Sequence, residues 1–372
     1  MKNARISAFI TAAFMAAAAW SQPPGKTPAV TTFFAPDAVI PAYIVPQGTT
    51  ATGISSRGDI VGTYADAWAV GLHGFIRTLD GTFTKVDALF AYPPRGEGTV
   101  LEGINSHGEA VGYYKGPQTQ DYHGFIRSPQ GAITTIDLPG AGTGSNQGTM
   151  LKAINNSGTV LGGYIDSLRQ WHFVLLNKKG EVTNFEVPGR GEAGAFYSLN
   201  NAGEATGTYF DSDDVRHGWV RSKQGMVTVF DAPGAGTAAN QGTIANGINE
   251  EGAISGATID ENNIQHGMIR DRHGNFTIFD APGAADGGGT FVVCLNASNT
   301  AVGYYSVPTG NSYGWMRTYG FVRTANGTIT KVNLAGNDLG RSTYITGINN
   351  QGWLTGWFTD QDEVTKSFVI IP

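Results

Sequence analysis

Histidine and aspartate recur together along this chain at a nearly constant spacing. The pairs, six or seven residues apart, are Asp66 and His73, Asp166 and His172, Asp211 and His217, and Asp260 and His266. An imidazole beside a carboxylate can act as an acid–base pair or contribute to a metal site. An enzyme seldom needs several copies of one catalytic pair, and zinc would need at least three converging protein ligands. We therefore expect these pairs to form hydrogen bonds that fix hairpins.

Two further acidic patterns have a simpler explanation than catalysis. The loops at residues 211–214 and 360–363 are rich in carboxylates but lack the glycine-punctuated spacing of a calcium-binding EF-hand loop. An aspartate also recurs at the end of a predicted strand, with Pro-Gly close behind it in most copies, at Asp87, Asp137, Asp231 and Asp280. This arrangement is typical of a turn. The sequence thus predicts no metal ion and no other cofactor.

A third group of polar residues differs from copy to copy and is the stronger candidate for a site. It lies two positions before the aliphatic residue of a recurring triplet, at Thr52, Glu102, Lys152, Tyr197, Asn246, Val293 and Thr346. The positions that follow hardly vary in type, so variation here indicates a role that is not repeated. The predicted ligand-binding residues are Glu102, Lys152, Tyr197 and Asn246. Glu102 and Lys152 belong to adjacent copies and could pair. The alternative is polar filling of a hydrated channel.

Loops between the repeats add charged and aromatic candidates. Arg95 and Arg190 lie in charged insertions, residues 145–147 and 239–241 form amide-bearing loops, and copy six has an enlarged loop containing Trp315. Exposed aromatic rings with arginine and amide groups suit stacking on sugar rings and hydrogen bonding to hydroxyls. Arg95, Arg190 and Trp315 therefore join the predicted binding site. Residues 313–317 also resemble a duplicated strand fragment, which is the alternative for that loop.

A unit that occurs seven times must position all these residues. Its core is a triplet whose central aliphatic residue recurs every 45 to 53 residues, at Ile54, Ile104, Ile154, Leu199, Ile248, Leu295 and Ile348. A period of roughly 40–50 residues with several short strands per unit is typical of a β-propeller. The sequence therefore predicts an all-β fold, a seven-bladed β-propeller.

Each unit contains four predicted antiparallel strands. In the third copy these cover residues 148–155, 159–164, 171–176 and 182–187, with Asn-Ser-Gly and Lys-Lys-Gly turns. The seventh copy reaches its third strand at the end of the sequence, and residues 31–38 match the fourth strand of other copies. We therefore predict that an N-terminal strand joins the C-terminal blade and closes the ring, since closure removes an exposed sheet edge.

The third strand carries a family resemblance. A His-Gly-aromatic or His-Gly-Met triplet, followed by Ile or Val and then Arg, begins at His73, His123, His217 and His266. This pattern resembles the HAF-repeat family of predicted extracellular bacterial proteins, which is named for a His-Ala-Phe triplet. The chain departs from it by having Gly in place of Ala, by placing Phe173 directly after His172, and by replacing the histidine in copies six and seven. The resemblance implies export and a repeat fold, and it implies no defined catalytic residues.

Composition limits the compartment and the partners. The 372 residues include 53 glycines, 41% are apolar and the net charge is −6, which fits an all-β protein and disfavours nucleic acid as a partner. Residues 1–21 have the basic start, alanine-rich apolar stretch and small-residue cleavage context of a signal peptide, with a retained anchor as the alternative. We expect export to the periplasm or the extracellular space and a monomeric propeller over residues 22–372. No membrane span is expected after signal removal.

Three functions agree with these features. The first is an exported binding or interaction module that recognises a glycan or another cell-surface component on its loop face; regular blades and the lack of a known catalytic motif favour it. The alternative is a carbohydrate-active enzyme, a polysaccharide lyase or glycoside hydrolase, with a site at the central funnel and Tyr or His as base. The third is a structural surface protein without a small ligand.

Overall fold

The chain folds into seven four-stranded antiparallel units, which confirms the predicted seven-bladed β-propeller. The computed structural model describes residues 28–36, 38, 48–65, 72–88, 98–116, 120–189, 194–284, 288–308, 316–335, 341–360 and 364–372. Within these ranges, no helix is long and apolar enough to cross a membrane. The predicted signal peptide, residues 1–21, lies outside them.

Blades one to six each use four consecutive strands, and blade seven takes one strand from the N-terminal part of the chain. Blades one to four contain β2 (Thr49–Ile54), β3 (Ile60–Ala65), β4 (Leu72–Arg77), β5 (Phe83–Val86), β6 (Thr99–Ile104), β7 (Ala110–Lys115), β8 (Tyr122–Arg127), β9 (Ile133–Ile136), β10 (Gly148–Ile154), β11 (Val160–Ile165), β12 (Trp171–Leu176), β13 (Val182–Phe185), β14 (Gly194–Leu199), β15 (Ala205–Phe210), β16 (Arg216–Arg221) and β17 (Val227–Phe230). Blades five to seven contain β18 (Gly242–Ile248), β19 (Ile254–Ile259), β20 (Gln265–Arg270), β21 (Phe276–Phe279), β22 (Thr290–Leu295), β23 (Ala301–Pro308), β24 (Met316–Arg323), β25 (Ile329–Val332), β26 (Thr343–Ile348), β27 (Leu354–Thr359), β28 (Thr365–Ile371) and β1 (Ala29–Phe33).

Turn residues determine where each strand ends. In blade three, β10 ends before the Asn-Ser-Gly turn, and Gly158 adopts a φ of +80°, a left-handed conformation that glycine tolerates best. The chain then returns as β11, whose partner β12 pairs from Ile165 with Trp171 to Val160 with Leu176. The boundaries of the four strands in this blade lie within one or two residues of the predicted ones, because Asn, Gly and Pro residues mark the turns in the sequence.

The ring closes between β1 and β28. These strands are antiparallel, with Ala29 opposite Ile371 and Phe33 opposite Ser367. Ser367 also holds blade one, because its Oγ donates to the Thr49 carbonyl at 2.7 Å and accepts from the Ala51 amide at 2.9 Å. The predicted closure by an N-terminal strand is therefore confirmed.

The apolar core lies between neighbouring blades. Trp219 of β16 is fully buried and stacks on Phe173 of β12, in the preceding blade, with ring centroids 5.6 Å apart. Phe185 of β13 meets the same indole at 5.5 Å. Fully buried phenylalanines also occupy third strands of other blades, at Phe75, Phe125, Phe321 and Phe368. Each blade therefore depends on its neighbours to bury its apolar faces.

Six buried asparagines also join successive blades, from the turns that follow the first strands. Each Nδ2 donates to a backbone carbonyl of the next blade at 2.9–3.4 Å, in the order Asn105 to Asn155, Asn155 to Asn200, Asn200 to Asn249, Asn249 to Asn296, Asn296 to Asn349 and Asn349 to Ser55. Ser55 occupies the seventh position, and its Oγ accepts from the amides of Arg57 and Asp59 in its own turn. Within the described residues, this series of bridges therefore has a gap between blades one and two.

Candidate functional site

The variable first-strand position makes contacts between blades. Lys152 Nζ lies 2.5 Å from Glu102 Oε1, so these two residues pair between blades three and two. Asn246 Nδ2 donates to the Val293 carbonyl at 2.7 Å and joins blades five and six. Tyr197, on blade four, is 40% exposed. Glu102 and Lys152 are therefore brought together, whereas Asn246 serves a different pair of blades.

A cavity of about 410 Å³ opens beside Lys152, between blades two, three and four. Its lining includes Tyr113, Tyr122, Trp171 and Asn146 as well as Lys152. We call this cavity the Trp171 pocket. It combines half-buried aromatic rings with an amide and an ammonium group, which is the composition of many pockets for small polar ligands.

The aromatic rings of the Trp171 pocket meet at defined angles. Tyr113 and Tyr122 are almost perpendicular, at 87°, with centroids 5.6 Å apart. Lys152 Nζ lies 5.8 Å from the Tyr113 centroid, and Lys115 Nζ lies 5.2 Å from the Tyr122 centroid. Such cation–π contacts hold the rings and the ammonium groups in place. The pocket is therefore preorganised on its blade-two side.

Charge in the pocket is largely paired. Glu102 balances Lys152. Burial raises the pKa of Tyr113 above its ordinary value, and the negative charge of Glu102 raises it further. Tyr113 is consequently a neutral phenol at physiological pH, and its hydroxyl can donate a hydrogen bond to a ligand but cannot act as a phenolate base.

Strands and one loop position these side chains. Tyr113 lies on β7, Tyr122 begins β8, Lys152 lies on β10 and Trp171 begins β12. Asn146 lies in the loop from blade two to blade three with a φ of +59°, a conformation that asparagine tolerates. Its Oδ1 accepts from Lys115 Nζ at 3.0 Å, and its backbone N–H donates to the Gln120 carbonyl at 3.0 Å. The loop is thereby held against blade two.

Sequence reasoning identified part of this pocket. It singled out Lys152 and the amide-bearing loop that contains Asn146, but it missed Tyr113, Tyr122 and Trp171. A signal for two of them existed, because the residue before the repeated histidine also varies, as Leu72, Tyr122, Trp171, Arg216 and Gln265. Arg95, Arg190 and Trp315 lie outside the described residues and stay predictions, as do ligand contacts by Glu102, Tyr197 and Asn246.

The repeated histidines have two carboxylate neighbours. His217 Nε2 lies 3.2 Å from Asp211 Oδ2, and His217 Nδ1 lies 2.8 Å from Asp231 Oδ1. The first contact is the hairpin bond that the six-residue spacing predicted. The second contact involves Asp231, at the end of the fourth strand. From the sequence we explained this aspartate as a turn residue and did not predict its contact with the histidine. Tyr209 stacks on the same imidazole at 5.0 Å. Similar contacts recur in several blades, which favours a structural role.

Solved structures establish the class of protein that this geometry defines. Virginiamycin B lyase from Staphylococcus aureus aligns over 93% of this chain and 99% of its own, with 14% identity and a TM-score of 0.55. The β-propeller domain of the Trilobed protease from Pyrococcus furiosus aligns over 88% and 94%, with 9% identity and a TM-score of 0.57. The BP39L lectin from Burkholderia pseudomallei aligns less closely, over 92% and 94%, with 10% identity and a TM-score of 0.45. The protein is therefore a β-propeller.

The similarity stops at the fold. No family model matches the chain, and no curated protein matches its sequence. Identities this low carry no information about the ligand or the reaction, so function must be argued from the residues of the pocket.

Proposed function

We propose that this protein is an exported β-propeller binding module that recognises a glycan in the Trp171 pocket. The observation that carries the proposal is the convergence of Tyr113, Tyr122 and Trp171 with Lys152 and Asn146 around one cavity of about 410 Å³. Aromatic rings stack on the apolar faces of sugar rings, while amide and ammonium groups bind their hydroxyls. The unrepeated nature of the pocket supports one such site per chain.

The Trp171 side chain contributes the third wall of the cavity and comes from the neighbouring blade. Tyr113 and Tyr122 belong to blade two, so a sugar in the pocket would contact both blades at once. Their perpendicular rings can contact two faces of one sugar, or two successive sugars. Since Glu102 already neutralises Lys152, the pocket needs no anionic ligand, and neutral glycans belong among the expected ligands.

The alternative remains a carbohydrate-active enzyme with a site at the central funnel. Its support is the pair of Glu102 and Lys152 beside tyrosines. The raised pKa of Tyr113 argues against this residue as a base, since a tyrosine base works best with a lowered pKa. Glu102 is paired with Lys152 and does not line the Trp171 pocket. Binding without turnover is therefore the better supported function.

A glycan array tests the proposal. The purified chain should bind a restricted set of glycans, and Trp171→Ala should lose that signal. Assays for cleavage of the same glycans and of acidic polysaccharides run in parallel. Turnover that disappears in Glu102→Gln would instead establish the enzyme. An array without any signal above background, for a folded protein, would refute the glycan-binding proposal.

Export and membership of the HAF-repeat family form part of the same proposal. The support is the signal-like composition of residues 1–21 and the His-Gly triplets of the third strands. Cell fractionation followed by mass spectrometry tests export: the protein should leave the cytoplasm and lack residues 1–21. A full-length protein retained in the cytoplasm would contradict it.

A further inference from the structure

Blade five lacks a tyrosine–histidine contact that four other blades have. In those blades a tyrosine of the second strand packs against the histidine of the third, with ring centroids 4.6–5.2 Å apart, and three of the four pairs are stacked; the pairs are Tyr64 and His73, Tyr114 and His123, Tyr164 and His172, and Tyr209 and His217. In blade five the cross-strand partner of His266 is Thr258. A ring-sized side chain is therefore missing beside an imidazole that is still present.

The surrounding loop keeps its shape despite the missing ring. In blade three, Gln147 Oε1 accepts from the Gly144 amide at 2.9 Å, and in blade five Gln241 Oε1 accepts from the Ala238 amide at 3.0 Å. Each glutamine also donates to a carbonyl of the adjacent hairpin, at 3.2 and 3.1 Å. The same internal bonds therefore prevent the blade-five loop from collapsing into the space.

Two equivalent glycines show the difference between the blades. A Cβ atom added to Gly140 would lie 3.1 Å from the Tyr164 hydroxyl, whereas one added to Gly234 would meet nothing within 4 Å. A cavity of about 790 Å³ lies here, lined by Gly234, Thr258, His266 and other residues of the loop and hairpin. We call it the blade-five slot. It includes the position beside His266 that a tyrosine side chain occupies in four other blades.

The imidazole of blade five has the same two carboxylate neighbours as that of blade four, one in the hairpin and one after the fourth strand. His266 Nδ1 lies 2.9 Å from Asp280 Oδ1, and His266 Nε2 lies 3.6 Å from Asp260 Oδ2. In blade four the two equivalent carboxylates, Asp231 and Asp211, act with burial to raise the pKa of the stacked Tyr209 to about 12. Such surroundings keep a phenol neutral. They disfavour an anionic occupant.

We propose that the blade-five slot binds a phenolic ring, which stacks on His266 where other blades place a tyrosine side chain. The hydroxyl of the ligand would donate to the carboxylate of Asp260, which lines the slot. Apolar contacts come from Ala235 and Ile278, which also line the slot. This site is separate from the Trp171 pocket and does not depend on glycan binding. The ligand could be a free phenol or a tyrosyl side chain of a peptide.

The test uses p-cresol, which has the shape of a tyrosine side chain, and follows its titration by NMR of the full chain. A ligand of this size should bind one site with a Kd on the order of 1 mM. Thr258→Tyr fills the slot and should weaken binding at least about tenfold, whereas Thr258→Ser should retain it. Tyr164→Thr should create a second site and raise the stoichiometry from one to two.

Further probes identify the chemistry and its source. Toluene, which lacks the hydroxyl, should bind several-fold more weakly than p-cresol. Binding of N-acetyltyrosinamide as well as p-cresol indicates a tyrosyl side chain, and binding of p-cresol alone indicates a free phenol. Three results would each overturn the proposal: no saturable p-cresol binding to the wild type, equal binding to a folded Thr258→Tyr variant, or preferential binding of methyl glucoside at this slot.

Discussion

At the scale of single residues, the third-strand histidines have the chemistry of a catalytic group and the surroundings of a structural one. His217 lies between Asp211 and Asp231, and Tyr209 covers one face of its ring. Burial alone would lower the pKa of this imidazole, but the hydrogen bonds to the two aspartates outweigh burial and raise the pKa above its ordinary value. The folded protein therefore favours the protonated imidazole.

This shift predicts how stability depends on pH. A pKa that is raised on folding contributes stability that is fully present below the unfolded pKa, about 6.5, and is lost as pH rises through the folded pKa. The urea midpoint should consequently fall as pH rises above about 6.5. In His217→Gln the same fall should be smaller, because one titrating group is gone. Parallel pH dependences in the two proteins would contradict the assignment.

Some residues of the Trp171 pocket and its surroundings could be predicted from the sequence, and others could not. Glu102 and Lys152 were paired correctly, because they share one repeat position in adjacent copies and carry opposite charge. Tyr113 and Trp171 were missed, because they lie on second and third strands of different blades and meet only after the blades pack. The spacing of the repeats along the chain does not show which side chains of neighbouring blades come together.

At the scale of elements, β1 determines whether the ring is closed. Phe33 is buried and contacts Phe75 at 6.2 Å and Phe83 at 5.7 Å, both in blade one, although its strand belongs to blade seven. The strand thus joins the first and last blades through its side chain as well as its backbone. This is the contact that a propeller needs to avoid two exposed edges.

Phe33→Ala should therefore cost about 3–5 kcal/mol of the free energy of unfolding, as expected for a large buried ring. Thr31→Ala is the matched control, because Thr31 lies on the same strand with an exposed side chain, and it should change stability by less than about 0.5 kcal/mol. Chemical denaturation measures both. If the two substitutions changed the free energy of unfolding equally, the contact of Phe33 with blade one would not stabilise the closed ring.

At the scale of the whole molecule, the six asparagine bridges explain why the triplet usually ends in Asn. Each carboxamide binds its own turn with Oδ1 and the next blade with Nδ2, as Asn200 does towards Glu204 and Asn249. The sequence showed the recurrence of this residue but not its partner, which lies one full repeat away. The fold and the ring closure could be predicted from the periodicity. The hydrogen bonds between blades could not, because spacing along the chain does not show which atoms of neighbouring blades meet.

The gap in this series yields a stabilising substitution. Ser55→Asn should supply the missing donor towards blade two and raise the free energy of unfolding by about 0.5–1.5 kcal/mol. Ser55→Ala should lower it, because the amides of Arg57 and Asp59 would lose their acceptor. Thermal and urea denaturation measure the change. A Ser55→Asn variant that is no more stable than the wild type would contradict this account.

Titration calorimetry with the glycan that gives the strongest array signal measures whether the Trp171 pocket binds a glycan. Tyr113→Ala and Tyr304→Ala form a matched pair, because both residues follow the second-strand glycine, in blades two and six. Loss of one stacking ring at the site should weaken affinity by roughly tenfold or more in Tyr113→Ala. Tyr304→Ala should bind like the wild type. Equal affinity in all three proteins would contradict the claim.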